Sequence, residues 1–376
     1  MKIIADKDIP FLKGVLEPYA EIEYYSGSQI TNEVVMDADA LITRTRTKCN
    51  SELLHNSNIK FISSATIGFD HIDTDYCKKN KIEWTNAPGC NSSSVQQYVA
   101  AALIHISRKY NFSLGNRTLG VVGVGHVGSK IVKLAEYLGM TVLLNDPPRV
   151  RNEGLCGFVS LDGILRDCDI ITFHVPLNMS GEDKTYHMIN KNLLDKVNPG
   201  TFIINTSRGE VADTGDLKNS LSSGKIAGAI IDVWEGEPDI DVDLLDLVDI
   251  GTPHIAGYSA DGKANGTAMS VRALSKYFNI GIDNWKPVNI PVPDNTEINI
   301  NNSSEPGENI IAEAVINTHN ISKDDIRLRQ SPGTFEKQRA EYPLRREFDS
   351  YTVRLARKDR NVVRILRRMG FNVEIN

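Results

Sequence analysis

Three side chains suited to acid–base chemistry and anion binding stand in three short polar segments of the chain. Arg208, Glu237 and His254 each follow a β-rich run, in residues 205–210, 232–238 and 252–259. Oxidation of a 2-hydroxy acid needs a base for the hydroxyl proton, a cation for the carboxylate and a hydride acceptor. An imidazole titrates near neutrality, and a guanidinium presents a planar fork to a carboxylate. A carboxylate beside the imidazole stabilises the imidazolium and fixes its tautomer. The set predicts His254 as the base, Arg208 as the anion-binding group and Glu237 as the partner of His254.

Each of these residues is weak evidence by itself. The chain has eight histidines, and a single histidine is usually structural, while a single arginine or glutamate is usually a solvated charge. The ordered set is more informative, because ligands of open α/β sheets bind beyond the carboxyl ends of the strands. The three segments follow predicted strands at residues 202–205, 229–233 and 249–251.

A glycine-rich motif, Gly123-Val124-Gly125-His126-Val127-Gly128, lies between a predicted strand at residues 118–122 and a predicted helix at residues 129–138. Gly123 permits a tight turn, Gly125 lets the backbone approach a pyrophosphate, and Gly128 lets helix and strand pack closely. We expect His126 to contribute its backbone and a solvated ring.

Asp146 ends the next predicted strand, residues 141–145, and stands 18 residues after Gly128. An acidic side chain at this place accepts hydrogen bonds from the ribose hydroxyls and repels a 2′-phosphate. The pattern therefore predicts NAD as the cofactor rather than NADP. The alternative is a structural turn with Asp146 as a helix N-cap.

Two arginines stand in Thr43-Arg44-Thr45-Arg46-Thr47, directly after a predicted strand at residues 40–43. In an extended segment, positions i and i+2 point the same way. We therefore expect Arg44 and Arg46 to bind a phosphate or carboxylate of the substrate. The alternative is a pair of solvated surface arginines.

The chain as a whole predicts an α/β fold: two doubly wound parallel-sheet domains and a small C-terminal α/β domain. Short strands alternate with helices, which is typical of parallel sheets covered by helices. A proline-rich segment at residues 285–293, prolonged by the polar residues 295–307, is predicted to be a linker. The predicted domains are a discontinuous substrate-binding domain, a nucleotide-binding domain and a C-terminal domain, at residues 1–95 with 260–285, 96–259 and 286–376.

Composition excludes several other classes of protein. Of 376 residues, 41% are hydrophobic and 24% are charged, values that exclude disorder, collagen and coiled coil for the whole chain. No apolar run approaches the roughly 20 residues of a membrane helix, and none at the start resembles a secretory signal. Five cysteines without a C-x-x-C spacing fit a reduced cytoplasm and predict neither a disulfide framework nor a metal site.

Charge is distributed unevenly along the chain. Residues 321–376 carry 14 Lys and Arg against 8 Asp and Glu, whereas the whole chain has a net charge of −6. Such an acidic body with a basic tail indicates an acidic partner of some kind.

The chain resembles the D-isomer-specific 2-hydroxyacid dehydrogenases over essentially its whole length. The resemblance rests on residues 66–73, 86–91, 123–128 and 146–149 and on the three segments that contain Arg208, Glu237 and His254. It is strongest to the members that oxidise 4-phospho-D-erythronate. That implies an NAD-dependent reaction giving (R)-3-hydroxy-2-oxo-4-phosphobutanoate in pyridoxal 5′-phosphate biosynthesis.

The resemblance also implies roles for individual residues. Arg208 and Glu237 are implied to be catalytic, with His254 as the proton donor and acceptor. Implied cofactor contacts are Gly123, Gly125, His126, Val127, Gly128, Asp146, Val175, Thr206, Ser207, Arg208, Asp232 and Gly257. Implied substrate contacts are Thr45, Thr66 and Tyr258.

The chain departs from the family pattern at a few of these places. Thr45 stands where serine is common, Val175 stands where threonine is usual, and residues 92–98 lack the glutamate that usually precedes Tyr98. These departures bear on substrate affinity and not on the type of reaction, since the catalytic groups are all present.

Three other functions remain as alternatives. One is a 3-phosphoglycerate dehydrogenase with a regulatory C-terminal domain, although residues 333–339 and 342–348 resemble the tail of the erythronate-phosphate enzymes. The second is a non-catalytic NAD-binding regulator. The third is a nucleic-acid-binding tail, but aromatic residues that would stack on bases are sparse there.

The resemblance gives the basic tail a different partner. It implies a homodimer formed through the C-terminal domain. The charge distribution then predicts that the basic surface of this domain docks on the acidic body of a second subunit. Arg346 is a candidate to reach a phosphate in the neighbouring active site. We expect neither nucleic acid nor a membrane among the partners of this cytoplasmic enzyme.

Overall fold

The computed structural model describes residues 1–154, 157–301, 306–357 and 359–375. The chain divides into two compact units, the first with residues 1–91 and 259–291 and the second with residues 92–258 and 292–376. The sequence-based division into three domains is finer than these two units and stays a prediction.

The first unit is built on a five-stranded parallel sheet. Its strands are β1 (Lys2–Asp6), β2 (Glu21–Tyr25), β3 (Ala40–Thr43), β4 (Phe61–Ser64) and β5 (Glu83–Thr85). Its helices are α1 (Asn32–Val35), α2 (Ser51–Leu54), α3 (Thr74–Lys79) and, from later in the chain, α11 (Ala260–Phe278). The strand order is β2-β1-β3-β4-β5, which is doubly wound, with its switch point between β1 and β3.

Both faces of this first sheet are buried. Ile3 and Ile42 pack on the face that carries Val271 of α11, whereas Ile4 and Leu41 pack on the opposite face. Successive strand residues point to opposite faces, so a strand covered on both sides must be apolar throughout. The sequence of β3, Ala-Leu-Ile-Thr, meets that requirement and is fully buried.

The second unit contains a six-stranded parallel sheet. Its strands are β6 (Thr118–Val122), β7 (Thr141–Asn145), β8 (Ile170–Phe173), β9 (Phe202–Asn205), β10 (Gly228–Ile231) and β11 (Ile250–Gly251). Its helices are α4 (Ser92–Lys109), α5 (His126–Tyr137), α6 (Pro147–Glu153), α7 (Leu161–Asp167), α8 (Lys191–Leu194), α9 (Thr214–Ser222) and α10 (Val242–Leu247). The order β11-β10-β9-β8-β6-β7 places the switch point between β6 and β8, where a ligand crevice is expected.

The C-terminal part of the second unit forms a small parallel sheet in the order β12-β13-β14. Its elements are β12 (Glu297–Ile300), α12 (Gly307–Thr318), α13 (Ile321–Gln330), α14 (Phe335–Ala340), β13 (Thr352–Leu355), α15 (Arg360–Met369) and β14 (Asn372–Ile375). Ile300, Val353 and Leu366 share one apolar core with Val121 of β6. The α/β fold with a small C-terminal sheet is therefore confirmed.

One sequence-based expectation for this region is wrong. Residues 295–307 are not a simple linker, because β12 lies within them and pairs with β13 in parallel. Ile298 and Ile300 are buried while Glu297 and Asn299 are exposed, so the strand alternates like a half-buried edge. Gly370 ends α15 in the left-handed conformation typical of a helix C-cap, with φ of +116°.

Four of the five cysteines lie among the described residues. Cys49, Cys77, Cys90 and Cys168 are buried and free, whereas Cys156 lies outside the described residues. Across the described ranges, no helix is both long and apolar enough to cross a bilayer. In the same ranges, His, Cys, Asp and Glu side chains form no group of three or more that is placed to bind a metal ion.

Candidate active site

The glycine loop, residues 123–128, joins β6 to α5. Gly123 has φ of +86°, and a Cβ there would lie 2.5 Å from the carbonyl oxygen of His174. A Cβ on Gly128 would lie 2.0 Å from the carbonyl oxygen of Gly123. A Cβ on Gly125, in contrast, would meet nothing within 4 Å. Two glycines are therefore required by the turn itself, while Gly125 keeps the loop open to a group as large as a pyrophosphate.

Helix α5 begins directly after this loop with an N-terminus suited to an anion. Among the described residues, no side chain caps it, so its first backbone N–H groups are left for a ligand or water. His126 is exposed and Val127 half-buried in the first turn. Together with Gly125, this end of α5 fits the phosphates of a dinucleotide.

Asp146 has the helix-capping role of one alternative and keeps the acceptor capacity that the other requires. Its carboxylate caps α6 by accepting the backbone N–H of Arg149 at 3.0 Å. Its other oxygen accepts the N–H of Val124 in the glycine loop at 2.8 Å, and Arg149 Nη1 donates to the carbonyl oxygen of Val124 at 2.9 Å. A carboxylate oxygen can accept two hydrogen bonds, so the cap leaves Asp146 able to accept from ribose hydroxyls.

The ends of β8 and β9 bring two further predicted cofactor contacts near the loop. The ring of His174 bonds Thr172 through Nε2 at 2.9 Å and Thr206 through Nδ1 at 3.3 Å. Burial lowers the pKa of His174 to about 3, so this ring is neutral at physiological pH and links two strands. Val175 packs against Gly123, because a Cβ added to Gly123 would lie 2.9 Å from Cγ1 of Val175.

Arg208 lies in a turn that is held by the side chain of Asn205. The Asn205 amide oxygen accepts the N–H of Ser207 at 3.1 Å and its hydroxyl at 2.7 Å, and the amide nitrogen donates to the carbonyl oxygen of Arg208 at 3.0 Å. A Cβ on Gly209 would lie 2.0 Å from the carbonyl oxygen of Trp234. This close approach brings the Arg208 turn against the segment that carries Glu237.

His254 and Glu237 form a direct pair. The imidazole Nδ1 donates to Glu237 Oε2 at 2.8 Å, and Glu237 Oε1 accepts the N–H of Trp234 at 2.8 Å. Burial raises the pKa of Glu237, but the hydrogen bond and charge of His254 outweigh it and bring that pKa below its usual value. The ionised carboxylate fixes the Nδ1–H tautomer, which leaves Nε2 as the ring atom for proton transfer.

The segment around His254, residues 252–258, is here called the histidine loop. Asp232 is buried and accepts three hydrogen bonds from this loop: the Thr252 hydroxyl at 2.6 Å, the Ile255 N–H at 2.7 Å and the Ala256 N–H at 2.9 Å. Burial raises the pKa of Asp232, and these donors oppose that shift. Asp232 thus shapes the loop; its predicted contact with the cofactor, and that of the half-exposed Gly257, stay predictions.

Tyr258, at the end of the histidine loop, is covered by residues of the C-terminal sequence. The guanidinium of Arg339 lies 5.6 Å from the centroid of the Tyr258 ring, and the Tyr342 ring lies 6.2 Å away. The positive charge of Arg339 also helps to lower the pKa of Glu237. Arg339 therefore adds a cation to the surroundings of the predicted site.

The first unit holds the remaining predicted substrate residues, and one expectation about them is wrong. Residues 45–46 form a turn rather than an extended segment, so alternation does not align Arg44 with Arg46. Arg44 instead donates through Nη1 to the carbonyl oxygen of Asp8 at 2.7 Å, and its Nε lies 3.8 Å from Asp6 Oδ2. The alignment of the two side chains therefore no longer supports their predicted role in phosphate binding. The turn does lie at the switch point between β1 and β3, where ligands of such sheets bind.

Thr45 and Thr66 differ in their surroundings. Thr45 is exposed in the turn after β3. The hydroxyl of Thr66 lies 2.7 Å from that of Ser64 and donates to the carbonyl oxygen of Gly68 at 3.0 Å. Thr66 is thus fixed within the segment after β4, at the carboxyl end of the sheet.

Sequence reasoning missed Asn205, Arg339 and Arg345, which support the site from outside its motifs. Asn205 had a signal, since an amide at a strand end often organises the following turn. The two arginines had none, because they stand far along the chain from the residues of the histidine loop that they approach. The candidate chosen from the tail, Arg346, accepts a hydrogen bond from Gln97 on its backbone oxygen, and its role at a neighbouring site is untested.

This geometry agrees with what the chain resembles. Residues 93–256 match the family described as D-isomer specific 2-hydroxyacid dehydrogenase, NAD binding domain, and residues 289–370 match a domain of unknown function. The first match confirms the prediction of NAD as the cofactor. It covers the glycine loop, Asp146 and all three catalytic candidates.

Solved structures share the fold. A D-lactate dehydrogenase from Aquifex aeolicus, complexed with NAD and lactic acid, is 28% identical and superposes with a TM-score of 0.62 over 75% of this chain and 97% of its own. An NAD⁺-bound 3-phosphoglycerate dehydrogenase from Entamoeba histolytica is 24% identical, with a TM-score of 0.64 over 77% of this chain and 99% of its own. The second likeness concerns the fold alone.

Relatives in sequence cover nearly the whole chain. An erythronate-4-phosphate dehydrogenase of Bacteroides fragilis is 49% identical over 94% of this chain and 99% of its own. One from Porphyromonas gingivalis is 42% identical over 99% and 100%, and one from Proteus mirabilis is 38% identical over 99% and 99%. With the His254–Glu237 pair, the Arg208 turn and the glycine loop all in place, this chain belongs to the erythronate-4-phosphate dehydrogenases of the D-isomer-specific 2-hydroxyacid dehydrogenase family.

Proposed function

We propose that the protein oxidises 4-phospho-D-erythronate to (R)-3-hydroxy-2-oxo-4-phosphobutanoate with NAD⁺, a step of pyridoxal 5′-phosphate biosynthesis. The observation that carries the proposal is the His254–Glu237 pair at 2.8 Å, beside the Arg208 turn and in the same unit as the glycine loop. The names of the relatives supply the substrate.

The chain's own residues handle the proton and the carboxylate. His254 Nε2 accepts the proton of the C2 hydroxyl, and Glu237 stabilises the imidazolium that results. The guanidinium of Arg208 binds the carboxylate and orients C2. NAD⁺, when bound, accepts the hydride that leaves C2. The C–H and O–H bonds are broken, a carbonyl forms, and the proton stays on His254 until solvent removes it.

Steady-state NADH formation tests this function. Wild-type protein is assayed with 4-phospho-D-erythronate and, in parallel, with 3-phosphoglycerate. We expect a larger kcat/KM for the erythronate. The opposite preference would point to the phosphoglycerate reaction, and tight NAD⁺ binding without turnover of either acid would point to a regulator.

We further propose that the turn at residues 44–46 binds the substrate phosphate. Two guanidinium groups within three residues, at the switch point of the first sheet, support this role. Arg46→Ala should raise KM for 4-phospho-D-erythronate and leave KM for unphosphorylated D-erythronate unchanged. The matched control is Lys48→Ala, which removes an exposed cation two residues further on. An equal rise in KM for both acids in Arg46→Ala would reject the role.

A homodimer in the cytoplasm is the remaining part of the proposal. The exposed basic face of α15, with Arg360, Arg364, Arg367 and Arg368, supports association with an acidic surface. Light scattering on the full chain at low and high salt tests it. A dimer that dissociates as salt rises fits the proposal, and a monomer at low salt contradicts it.

A further inference from the structure

We propose that Arg345, from the C-terminal part of the chain, is a positioning residue that holds the histidine loop for catalysis. Its side chain is only 4% exposed. Arg345 Nη2 donates to the carbonyl oxygens of Ile255 at 3.0 Å and Ala256 at 2.7 Å, the two residues that directly follow His254. Nothing in the reaction proposed above uses Arg345. The inference rests on that proposed function because it assigns Arg345 to the same site.

Asp232 and Arg345 hold the same two residues by backbone groups of opposite polarity. Asp232 accepts the N–H groups of Ile255 and Ala256, while Arg345 donates to their carbonyl groups. The peptide unit between Ile255 and Ala256 is therefore held at both its C=O and its N–H, and the units before and after it are held at one end each. Hydrogen bonds in which one partner is charged are shorter and stronger than neutral ones. Rotation of the Ile255–Ala256 peptide would break a charged hydrogen bond on each side.

His254 needs such support because its backbone is strained. It has φ of +55°, in the left-handed region that residues with a Cβ rarely adopt. Strained conformations persist only where their surroundings over-determine them. The His254 N–H also donates to the carbonyl oxygen of Asp232 at 2.7 Å, so Asp232 supports the backbone of His254 itself. Arg345 supports the two residues that follow the strained His254.

Further residues fix the guanidinium of Arg345. Nη2 donates to the Ser94 hydroxyl at 2.6 Å, which itself donates to the carbonyl oxygen of Ala256 at 2.9 Å. Nη1 lies 3.0 Å from Nδ1 of the buried His319, and the centroid of the Tyr342 ring lies 5.7 Å from the guanidinium carbon. The arginine is thus held by groups of α4 and of the C-terminal elements at once.

The experiment compares Arg345→Met with Arg329→Met as a matched control. Arg329 is also an arginine of the C-terminal sequence that donates to backbone carbonyls, those of Leu245 and Val248, but it does not contact the histidine loop. Both variants lose a buried or half-buried guanidinium, so both are expected to melt at a lower temperature. Only Arg345→Met should alter the reaction itself.

For Arg345→Met we expect kcat to fall about 100-fold, with KM for NAD⁺ unchanged, because a catalytic group displaced by about 1 Å costs that much. The primary isotope effect with 2-deuterated substrate should rise, since chemistry becomes slower than product release. Amide exchange of the peptide that contains residues 254–258 should accelerate. If kcat, isotope effect and exchange all match those of Arg329→Met, the inference is wrong.

A second variant decides the matter if Arg345→Met does not fold. Ser94→Ala removes only the hydroxyl that joins Arg345 to Ala256, and it should lower kcat about tenfold with faster exchange of the same peptide. Unchanged kcat and exchange would overturn the proposal. A wild-type protein without turnover would instead contradict the proposed function, and the exchange measurement would still test the positioning role.

Discussion

The glycine loop and the histidine loop use the same anchoring arrangement with partners at very different distances along the chain. In the glycine loop, Val124 gives its N–H to Asp146 and receives Arg149 on its carbonyl oxygen. In the histidine loop, the Ile255 N–H donates to Asp232, and the Ile255 carbonyl oxygen accepts a hydrogen bond from Arg345. Asp146 and Arg149 stand 22 and 25 residues after Val124, whereas Arg345 stands 90 residues after Ile255.

The two loops also differ in what their own sequence supplies. The glycine loop reaches its shape by the absence of side chains, since a Cβ on Gly123 or Gly128 meets backbone atoms. The histidine loop contains a strained residue, His254, that must keep its side chain for chemistry. A loop that needs a side chain in a left-handed conformation depends on long-range partners, and one made of glycine does not.

The largest expected effect concerns the partner of His254. Glu237→Gln keeps the shape of the side chain but removes the charge that stabilises the imidazolium, so kcat should fall about 10³-fold. The matched control is Glu235→Gln in the same segment, whose carboxylate bonds His187 and Thr214 instead. Equal losses of kcat in the two variants would contradict the role of Glu237.

The glycine loop can be broken in two separable ways. Gly128→Ala places a Cβ 2.0 Å from a backbone oxygen, so the loop must shift and NAD⁺ affinity should fall about 100-fold together with stability. Gly125→Ala has open space in the protein alone, so melting should not change while NAD⁺ affinity still falls. Calorimetric titration and thermal melts measure both. Normal affinity in Gly125→Ala would show that no pyrophosphate approaches there.

Acid should weaken the anchoring of the histidine loop through His319, which faces Arg345, Asp324 and Tyr342. Burial, with the charge of Arg345, lowers the pKa of His319 to about 4 from its ordinary 6.5. Between these values the unfolded chain binds the proton and the folded chain does not, so stability is lost as pH falls. From pH 7 to pH 5 this contribution is about 2 kcal/mol.

His319→Gln should remove the part of the stability loss at low pH that His319 causes. Urea unfolding at pH 7 and pH 5 gives the difference for both proteins. The wild type should lose more stability still, because His71 and His174 are also buried with lowered pKa values. An identical pH dependence in the variant would show that folding does not lower the pKa of His319.

The smallest expected effect concerns Asp146. Asp146→Ser keeps a side chain that caps α6, so melting should change little. The charge that repels a 2′-phosphate is lost, and the ratio of kcat/KM for NADP⁺ to that for NAD⁺ should rise about tenfold. An unchanged ratio would mean that Asp146 serves the glycine loop and the helix cap alone.

Much of the fold was predictable because its signals are local. Strands such as β6 and β9 are apolar runs followed by turn residues, and the glycine loop is defined by six consecutive residues. The His254–Glu237 pair was also predictable, since each residue follows a strand whose end points to the same crevice. These features depend on short stretches whose spacing the sequence displays.

The missed features depend on contacts between distant segments or on weak local signals. The β12 strand is short and half-exposed, so Ile298 and Ile300 were hidden in a polar stretch. The turn at Arg44–Arg46 is stabilised by a bond to Asp8, which no spacing near the arginines indicates. Arg345 is one of 14 basic residues in the tail, and only its burial distinguishes it.

The central claim is that His254 takes the substrate proton, and single-turnover NADH formation tests it most directly. Excess protein loaded with NAD⁺ is mixed with 4-phospho-D-erythronate, for the wild type and for His254→Ala. We predict rapid NADH formation by the wild type and a rate about 10³-fold lower in the variant, with NAD⁺ binding unchanged. Equal rates for the two proteins would contradict the mechanism.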